Sequence, residues 1–121
     1  MDNKEYVKQA ISTLSNGFHK DKVSNDLLHA AIGIATESGE FLDALKKSLF
    51  YGKDLDKVNL REEMGDIMWY IAIACHALDT DLSTVMDVNI AKLRARFPNK
   101  FTNEAALTRN LDKEREILEQ A

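Results

Sequence analysis

Two short acidic motifs contain the residues of this chain whose types and spacing most directly suggest chemistry. Glu37 and Glu40 form the first pair, Glu63 and Asp66 form the second, and each pair lies in a stretch with helical apolar periodicity. Residues three apart share one face of a helix, so each pair presents two carboxylates to the same side. If the two helices fold back on one another, all four carboxylates converge.

Such a cluster needs positive charge or protons, because at ~4 Å and an effective dielectric near 20 each like-charge contact costs about 4 kcal/mol. Hard oxygen ligands select magnesium, manganese or calcium. Each pair also has a simpler interpretation, since glutamates three residues apart are common on solvated helix faces. The repetition of the pair, the glycine inside each one and the wholly apolar stretch after the second favour a shared site.

Length and composition limit what this site can belong to. The chain has 121 residues, of which 45% are apolar and 30% charged, with one proline, and these values predict a single helical domain over residues 1–121. The formal charge of -4 argues against binding to a nucleic-acid polymer, which needs a broad basic face. The only cysteine, Cys75, lies in an apolar run and is predicted to be a buried, reduced residue.

No membrane segment or leader is expected. The N-terminus has no apolar signal core, and the most apolar run, residues 67–78, is too short to cross ~30 Å of hydrocarbon. We therefore expect a cytoplasmic protein that does not bind membranes.

Apolar periodicity and cap residues predict five helices and no strands. The first helix is capped by Asp2 and ends near Gly17, and the second is capped by Ser24 or Asn25 and stopped by Gly52. The third starts at a cap on Asn59, and the fourth is capped by Asp81 or Ser83 and ends at Phe97 and Pro98. A weakly amphipathic fifth helix covers the tail 103–121. The second half of the third helix, residues 67–74, is apolar on every side. A bundle this small seldom buries such a helix alone, so we expect a homo-oligomer.

Three segments together resemble the MazG-like all-α nucleoside triphosphate pyrophosphatases: ATESGE at 35–40, EMGDIMWY at 63–70 and NIAKLRARFP at 89–98. The resemblance covers roughly residues 25–101. It implies a four-helix-bundle core, here followed by the additional C-terminal helix, assembled into dimers or tetramers. It also implies Mg²⁺, or Mn²⁺ in its place, held by Glu37, Glu40, Glu63 and Asp66. Family members often have a further glutamate where this chain has Thr36, so an accessory base or extra ligand is not expected there.

The activity implied by the resemblance is hydrolysis of a free ribo- or deoxyribonucleoside triphosphate to the monophosphate and pyrophosphate, a house-cleaning role in the nucleotide pool. Two or more magnesium ions between the acidic side chains and the triphosphate would offset their mutual repulsion. One carboxylate of the first pair, with Glu37 the leading candidate, would orient or deprotonate the attacking water. The sequence does not separate ligand from base.

Candidate phosphate and base contacts lie outside the acidic motifs. Lys92 and Arg96 share a face of the fourth helix and suit phosphate oxygens, as does Asn89 by the resemblance, and Lys53 is a weaker candidate. The simpler interpretation of these cations is a solvated basic face. Four residues are candidates for an apolar or aromatic wall around the nucleobase: Tyr70, Trp69, Phe18 and His19. For Trp69, packing in the core is the stronger expectation.

Two other function classes stay open at this point. One is a helical interaction module whose apolar third helix binds a partner and whose acidic pairs are merely solvated. The other is a regulator that binds a divalent cation and a nucleotide without cleaving it. A Glu63→Gln substitution separates them, because it abolishes turnover in an enzyme, shifts only metal affinity in a regulator and leaves an interaction module unaffected.

Overall fold

The computed structural model describes residues 1–120, so the last position of the predicted tail 103–121 lies outside it. Residues 1–120 form six α-helices and one short 3₁₀ turn at Lys20–Lys22. The helix bounds are α1 Asn3–Ser12, α2 Asn25–Tyr51, α3 Lys57–Ala77, α4 Leu82–Arg96, α5 Asn103–Leu107 and α6 Leu111–Glu119. No strand occurs within residues 1–120. The predicted all-α class is confirmed.

Local caps fix several helix ends where the sequence predicts them. The side chains of Asp2, Ser24 and Asp81 accept the backbone N–H three residues further on, at 2.8, 3.1 and 2.7 Å respectively. Gly52 ends α2 in the left-handed region, with φ of 70°, which glycine adopts without a steric cost.

Other boundaries differ from the prediction. Helix α1 already ends at Ser12, where Thr13 turns its hydroxyl back to the Ala10 carbonyl. Helix α3 starts earlier than predicted, because Asp56 rather than Asn59 is its cap and accepts the Asn59 N–H at 3.1 Å.

The predicted single tail helix is two helices. Thr102 caps α5 and Asn110 caps α6, each accepting a backbone N–H at 3.1 Å. Because the side chain of Asn110 accepts a hydrogen bond from the first turn of α6, Asn110 cannot continue α5, and the tail is interrupted between Leu107 and Leu111.

The two long helices α2 and α3 pack along each other as an antiparallel hairpin, since Gly33 on α2 meets Tyr70 on α3 while Glu37 meets Glu63. A Cβ atom at Gly33 would lie 2.2 Å from the Tyr70 ring, so only glycine permits this approach. Helix α4 packs mainly against α6. Within one chain the four-helix bundle therefore stays a prediction.

Much apolar surface is uncovered in the single chain. Among residues 1–120, the buried hydrophobic residues are Ala30 and Cys75, which confirms the predicted burial of the cysteine. The accessible surface is 10252 Å², whereas a compact monomer of this mass exposes about 6,600 Å². In the part of the chain that the structure describes, none of the helices combines the length and hydrophobicity needed to cross a bilayer.

Candidate active site

The packing of α2 against α3 brings three of the predicted carboxylates together. One oxygen from each of Glu37, Glu63 and Asp66 lies within 4.8 Å of the others. Glu37 sits in the middle of α2, and the other two are three residues apart on the facing side of α3. The close approach at Gly33, one turn before Glu37, sets the helix separation that makes this meeting possible.

Two of these carboxylates are incompletely bonded although they are shielded from water. Glu63 is only 7% exposed, and its Oε1 accepts a hydrogen bond from Asn59 Nδ2 at 3.2 Å. The Oε2 atoms of Glu37 and Glu63 are both buried without a hydrogen-bond partner. Buried acceptors normally find a donor, so two orphan oxygens side by side indicate a ligand or a proton.

The electrostatics of Glu37 favour a proton in the absence of a cation. A protonated Glu37 can donate a hydrogen bond to Glu63, and this raises the pKa of Glu37 from 4.5 to about 7, helped by desolvation and by the charges of Glu40, Asp66 and Glu63. In the absence of a cation, Glu37 therefore carries a proton in about half of the molecules near neutral pH.

Glu40, the fourth predicted carboxylate, is exposed and lies outside the group of three. It lines an adjoining cleft of about 390 Å³ between the end of α2 and the start of α3. Glu63 and Asn59 line the same cleft, so the buried end of the acidic cluster opens into it. The negative charge of Glu40 still acts on the cluster, because it helps raise the pKa of Glu37.

Of the four predicted phosphate contacts, Lys53 lines this cleft. Asn89, Lys92 and Arg96 lie on α4 and are absent from the cleft lining within residues 1–120. The guanidinium of Arg96 donates from Nε, at 3.1 Å, and from Nη2 to Oε1 of Glu114 on α6.

The four candidate base contacts occupy two places. Tyr70 is half-buried against Gly33 and makes edge contacts with His29 and Trp69, whose ring centroids lie 5.6 and 5.0 Å away. Trp69 itself is largely exposed. Phe18 and His19 line an apolar cavity of about 560 Å³ before α2.

Sequence reasoning missed several residues that the structure places near the carboxylates. Asn59, expected only as a cap, holds Glu63, and Asp43 and Lys47 line the cleft as an ion pair at 3.0 Å. The spacing of four residues between Asn59 and Glu63 is a usable signal once α3 is known to begin at Lys57.

Comparison with known proteins agrees with this geometry. The model of the MazG nucleotide pyrophosphohydrolase domain matches residues 27–101, a range that includes both acidic motifs and α4 but excludes α1 and α6. The "Gene 37 protein" of Mycobacterium phage L5 is 38% identical over 77 residues, which cover 58% of this chain and 65% of that protein. The chain thus spans slightly less than two-thirds of the length of this curated relative. No solved structure matches the chain significantly.

Proposed function

We propose, from the premise that the chain belongs to the MazG nucleotide pyrophosphohydrolase family, that it hydrolyses nucleoside triphosphates to nucleoside monophosphates and pyrophosphate in a Mg²⁺-dependent reaction. The observation that carries the proposal is the meeting of Glu37, Glu63 and Asp66 around two buried oxygens that have no hydrogen-bond partner.

A divalent cation fits this donor set. All three groups offer carboxylate oxygens, which are the ligands of Mg²⁺ and Mn²⁺, and the two orphan oxygens supply lone pairs that no protein donor uses. Glu37, Glu63 and Asp66 would hold the cation, with the exposed Glu40 beside them. When bound, it supplies positive charge that offsets the triphosphate oxygens and the pyrophosphate leaving group.

The side chains of the chain perform the remaining tasks. Glu37 orients a water molecule and accepts its proton as the oxygen attacks the α-phosphorus, while the bond to the β-phosphate bridging oxygen breaks and pyrophosphate leaves. Asn59 holds the Glu63 carboxylate in place. Lys53 offers its ammonium group to phosphate oxygens at the mouth of the cleft.

The remaining predicted contacts belong to the same proposal. Asn89, Lys92 and Arg96 supply further phosphate donors, and Tyr70, Trp69, Phe18 and His19 supply the wall for the base. The substrate is a free nucleotide, consistent with the formal charge of -4, and the role is house-cleaning of the nucleotide pool.

The proposed enzyme works as a homo-oligomer. The single chain exposes 10252 Å², about 3,700 Å² more than expected for a compact monomer. Trp69 and Met68 are exposed on the helix that also carries the second acidic pair. A second copy packed on this face would cover a large apolar area, and a dimer or tetramer would follow.

The test is incubation with a panel of ribo- and deoxyribonucleoside triphosphates, with and without Mg²⁺, followed by separate assays for pyrophosphate and orthophosphate. We expect Mg²⁺-dependent release of pyrophosphate. Orthophosphate alone would contradict the proposed bond position, and no product from any nucleotide would favour a binding protein.

A matched pair of substitutions connects the activity to the cluster. Glu63→Gln keeps the shape of the side chain but removes a buried charge, and we expect at least about a hundredfold loss of kcat, in the range of other groups that act on transition-state charge. Glu62→Gln removes the same charge from the neighbouring, exposed position and should retain activity. Equal activities of the two variants would disconnect the cluster from catalysis.

A further inference from the structure

The junction of α4 and α6 contains a compact group of charges apart from the acidic cleft. Glu114 is only 4% exposed and accepts hydrogen bonds from two arginines. Arg96 of α4 donates to its Oε1, and Arg109 donates from Nε to Oε2 at 3.1 Å and from Nη2 to Oε1 at 3.3 Å. The two guanidinium groups therefore meet across one carboxylate.

The charges of this junction do not balance. The proximity of Arg109 and Arg96 lowers the pKa of Glu114, so it carries one negative charge against their two positive charges. Lys113 lies beside them on the lining of the same cavity and adds a further positive charge. The net charge of these four side chains is about +2 at neutral pH.

The cavity has room and free donors for an anion. Its volume is about 230 Å³, space for about eight water molecules. Each guanidinium has five N–H groups, and each uses only two in the bonds to Glu114. The side chain of Arg96 is 16% exposed, and it lines the cavity, so its remaining donors are held in a restricted space.

Arg96 is also fixed in position. Its guanidinium carbon lies 5.7 Å from the centroid of the Phe97 ring, and that ring packs on Phe101 at 5.3 Å. Donors that are already ordered lose little entropy when they bind an anion. Planar guanidinium groups suit oxyanions with several acceptor oxygens.

From this geometry we infer that Arg96, Arg109 and Lys113 form a binding site for a phosphate or pyrophosphate group, with Glu114 holding the two arginines in place. Arg109 and Lys113 lie beyond the residues matched by the family model. The site shares no lining residue with the acidic cleft, and it requires no divalent cation. The anion can come from the nucleotide or from free phosphate and pyrophosphate.

The experiment is a calorimetric titration of the full chain with inorganic pyrophosphate in low salt and excess chelator, so that no divalent cation recruits the anion. We expect binding that weakens as salt is added, because charge–charge attraction is screened. Arg109→Gln and Lys113→Gln should each weaken binding at least about fivefold. Arg115→Gln is the matched control, because Arg115 carries the same charge on the same helix but pairs with Glu119 and does not line the cavity.

The helical circular dichroism of each variant identifies any that fails to fold, and Lys113→Gln leaves the bonds to Glu114 intact. No measurable binding by the wild-type chain, or equal affinities in Lys113→Gln and Arg115→Gln, would overturn the inference. The measurement needs no turnover, so its failure is distinguishable from failure of the proposed hydrolysis.

Kinetics then identifies the source of the anion. If the triphosphate occupies the site, Lys113→Gln raises KM with little change in kcat and pyrophosphate competes with the substrate. If a free anion occupies the site, Lys113→Gln leaves KM unchanged and pyrophosphate does not compete with the substrate. Both results support the site, and they differ in what it serves.

Discussion

Cation binding at the acidic cluster should release a proton, in an amount that depends on pH. The pKa of Glu37 is about 7 without a cation. Its carboxyl group is therefore protonated in about nine-tenths of the molecules at about pH 6, in about half at about pH 7 and in about a tenth at about pH 8. A cation needs the charged carboxylate, so binding displaces these fractions of a proton.

The same competition sets the affinity for Mg²⁺. Protonation of Glu37 weakens binding by a factor of about 11 at about pH 6 and by a factor of about 1.1 at about pH 8. The affinity should thus rise about tenfold over this interval and then level off. Calorimetric titration with Mg²⁺ in two buffers of different ionisation enthalpy gives both the affinity and the number of protons released.

Two variants identify the titrating group. In Glu37→Gln we expect the release at about pH 6 to disappear, while Glu62→Gln, altered at an exposed position, should behave as the wild type. Proton release that is the same at all three pH values would refute the argument, as would release of about 0.9 proton by Glu37→Gln at about pH 6.

The sign of the effect on stability follows from the raised pKa. Glu37 binds its proton more tightly in the folded chain than in the unfolded one, so this contribution to stability is fully present below about pH 4.5 and is lost as the pH rises to about 7. The melting temperature of the cation-free protein should fall across this window. Mg²⁺ should oppose the fall at the upper end, because it binds the ionised cluster of the folded state.

Three further predictions concern packing, capping and acid stability. Gly33→Ala places a Cβ 2.2 Å from Tyr70, and the overpacking, which costs about 1–3 kcal/mol, should outweigh the gain in helix propensity of about 1 kcal/mol and lower the free energy of urea unfolding. Gly39→Ala is the control, because its Cβ meets open space and should raise the free energy of unfolding. Equal free energies of unfolding for the two variants would contradict the packing of Gly33 on Tyr70. Asp56→Ala removes the cap of α3 and should cost about 1 kcal/mol in the same assay, and an unchanged midpoint would show that the cap does not stabilise the helix. Hydrogen bonds from Arg109 and then Arg96 lower the pKa of Glu114, so the contribution of Glu114 to stability is present above about pH 4.5 and lost as the pH falls through the depressed pKa. Glu114→Gln should therefore reduce the loss of helical circular dichroism in acid. An unchanged acid transition would show that Glu114 is not its cause.

The features that could be predicted from the sequence are those that depend on a few neighbouring residues. The cap of α2 at Ser24 and its stop at Gly52 are local events within one turn, and both are confirmed. The prediction that Asn59 caps α3 was wrong, because Asp56 is also an acceptable cap and only the direction of the two side chains separates them.

Features that depend on distant contacts were beyond the sequence. The spacing of Glu37 and Glu40 predicts that they lie on one side of α2. How far each carboxylate is buried depends on where α3 packs against α2, and Glu40 remains exposed. The role of Glu114 needs a contact across 18 residues to Arg96, with a break in the tail that brings α6 back to α4. No local rule connects those two residues.

The acidic cluster and the uncovered apolar surface are connected through α3. The first half of this helix supplies Glu63 and Asp66, while its second half carries exposed residues such as Met68 and Trp69. Carboxylates held this close oppose the packing of α2 on α3 unless a proton or cation lies between them. Few apolar residues of the hairpin are fully buried to resist that opposition. Burial of ~1,000 Å² of apolar surface by a second copy would supply about 25 kcal/mol before the costs of association. The proposed assembly and cation binding would therefore act on the same helix pair, and each should strengthen the other.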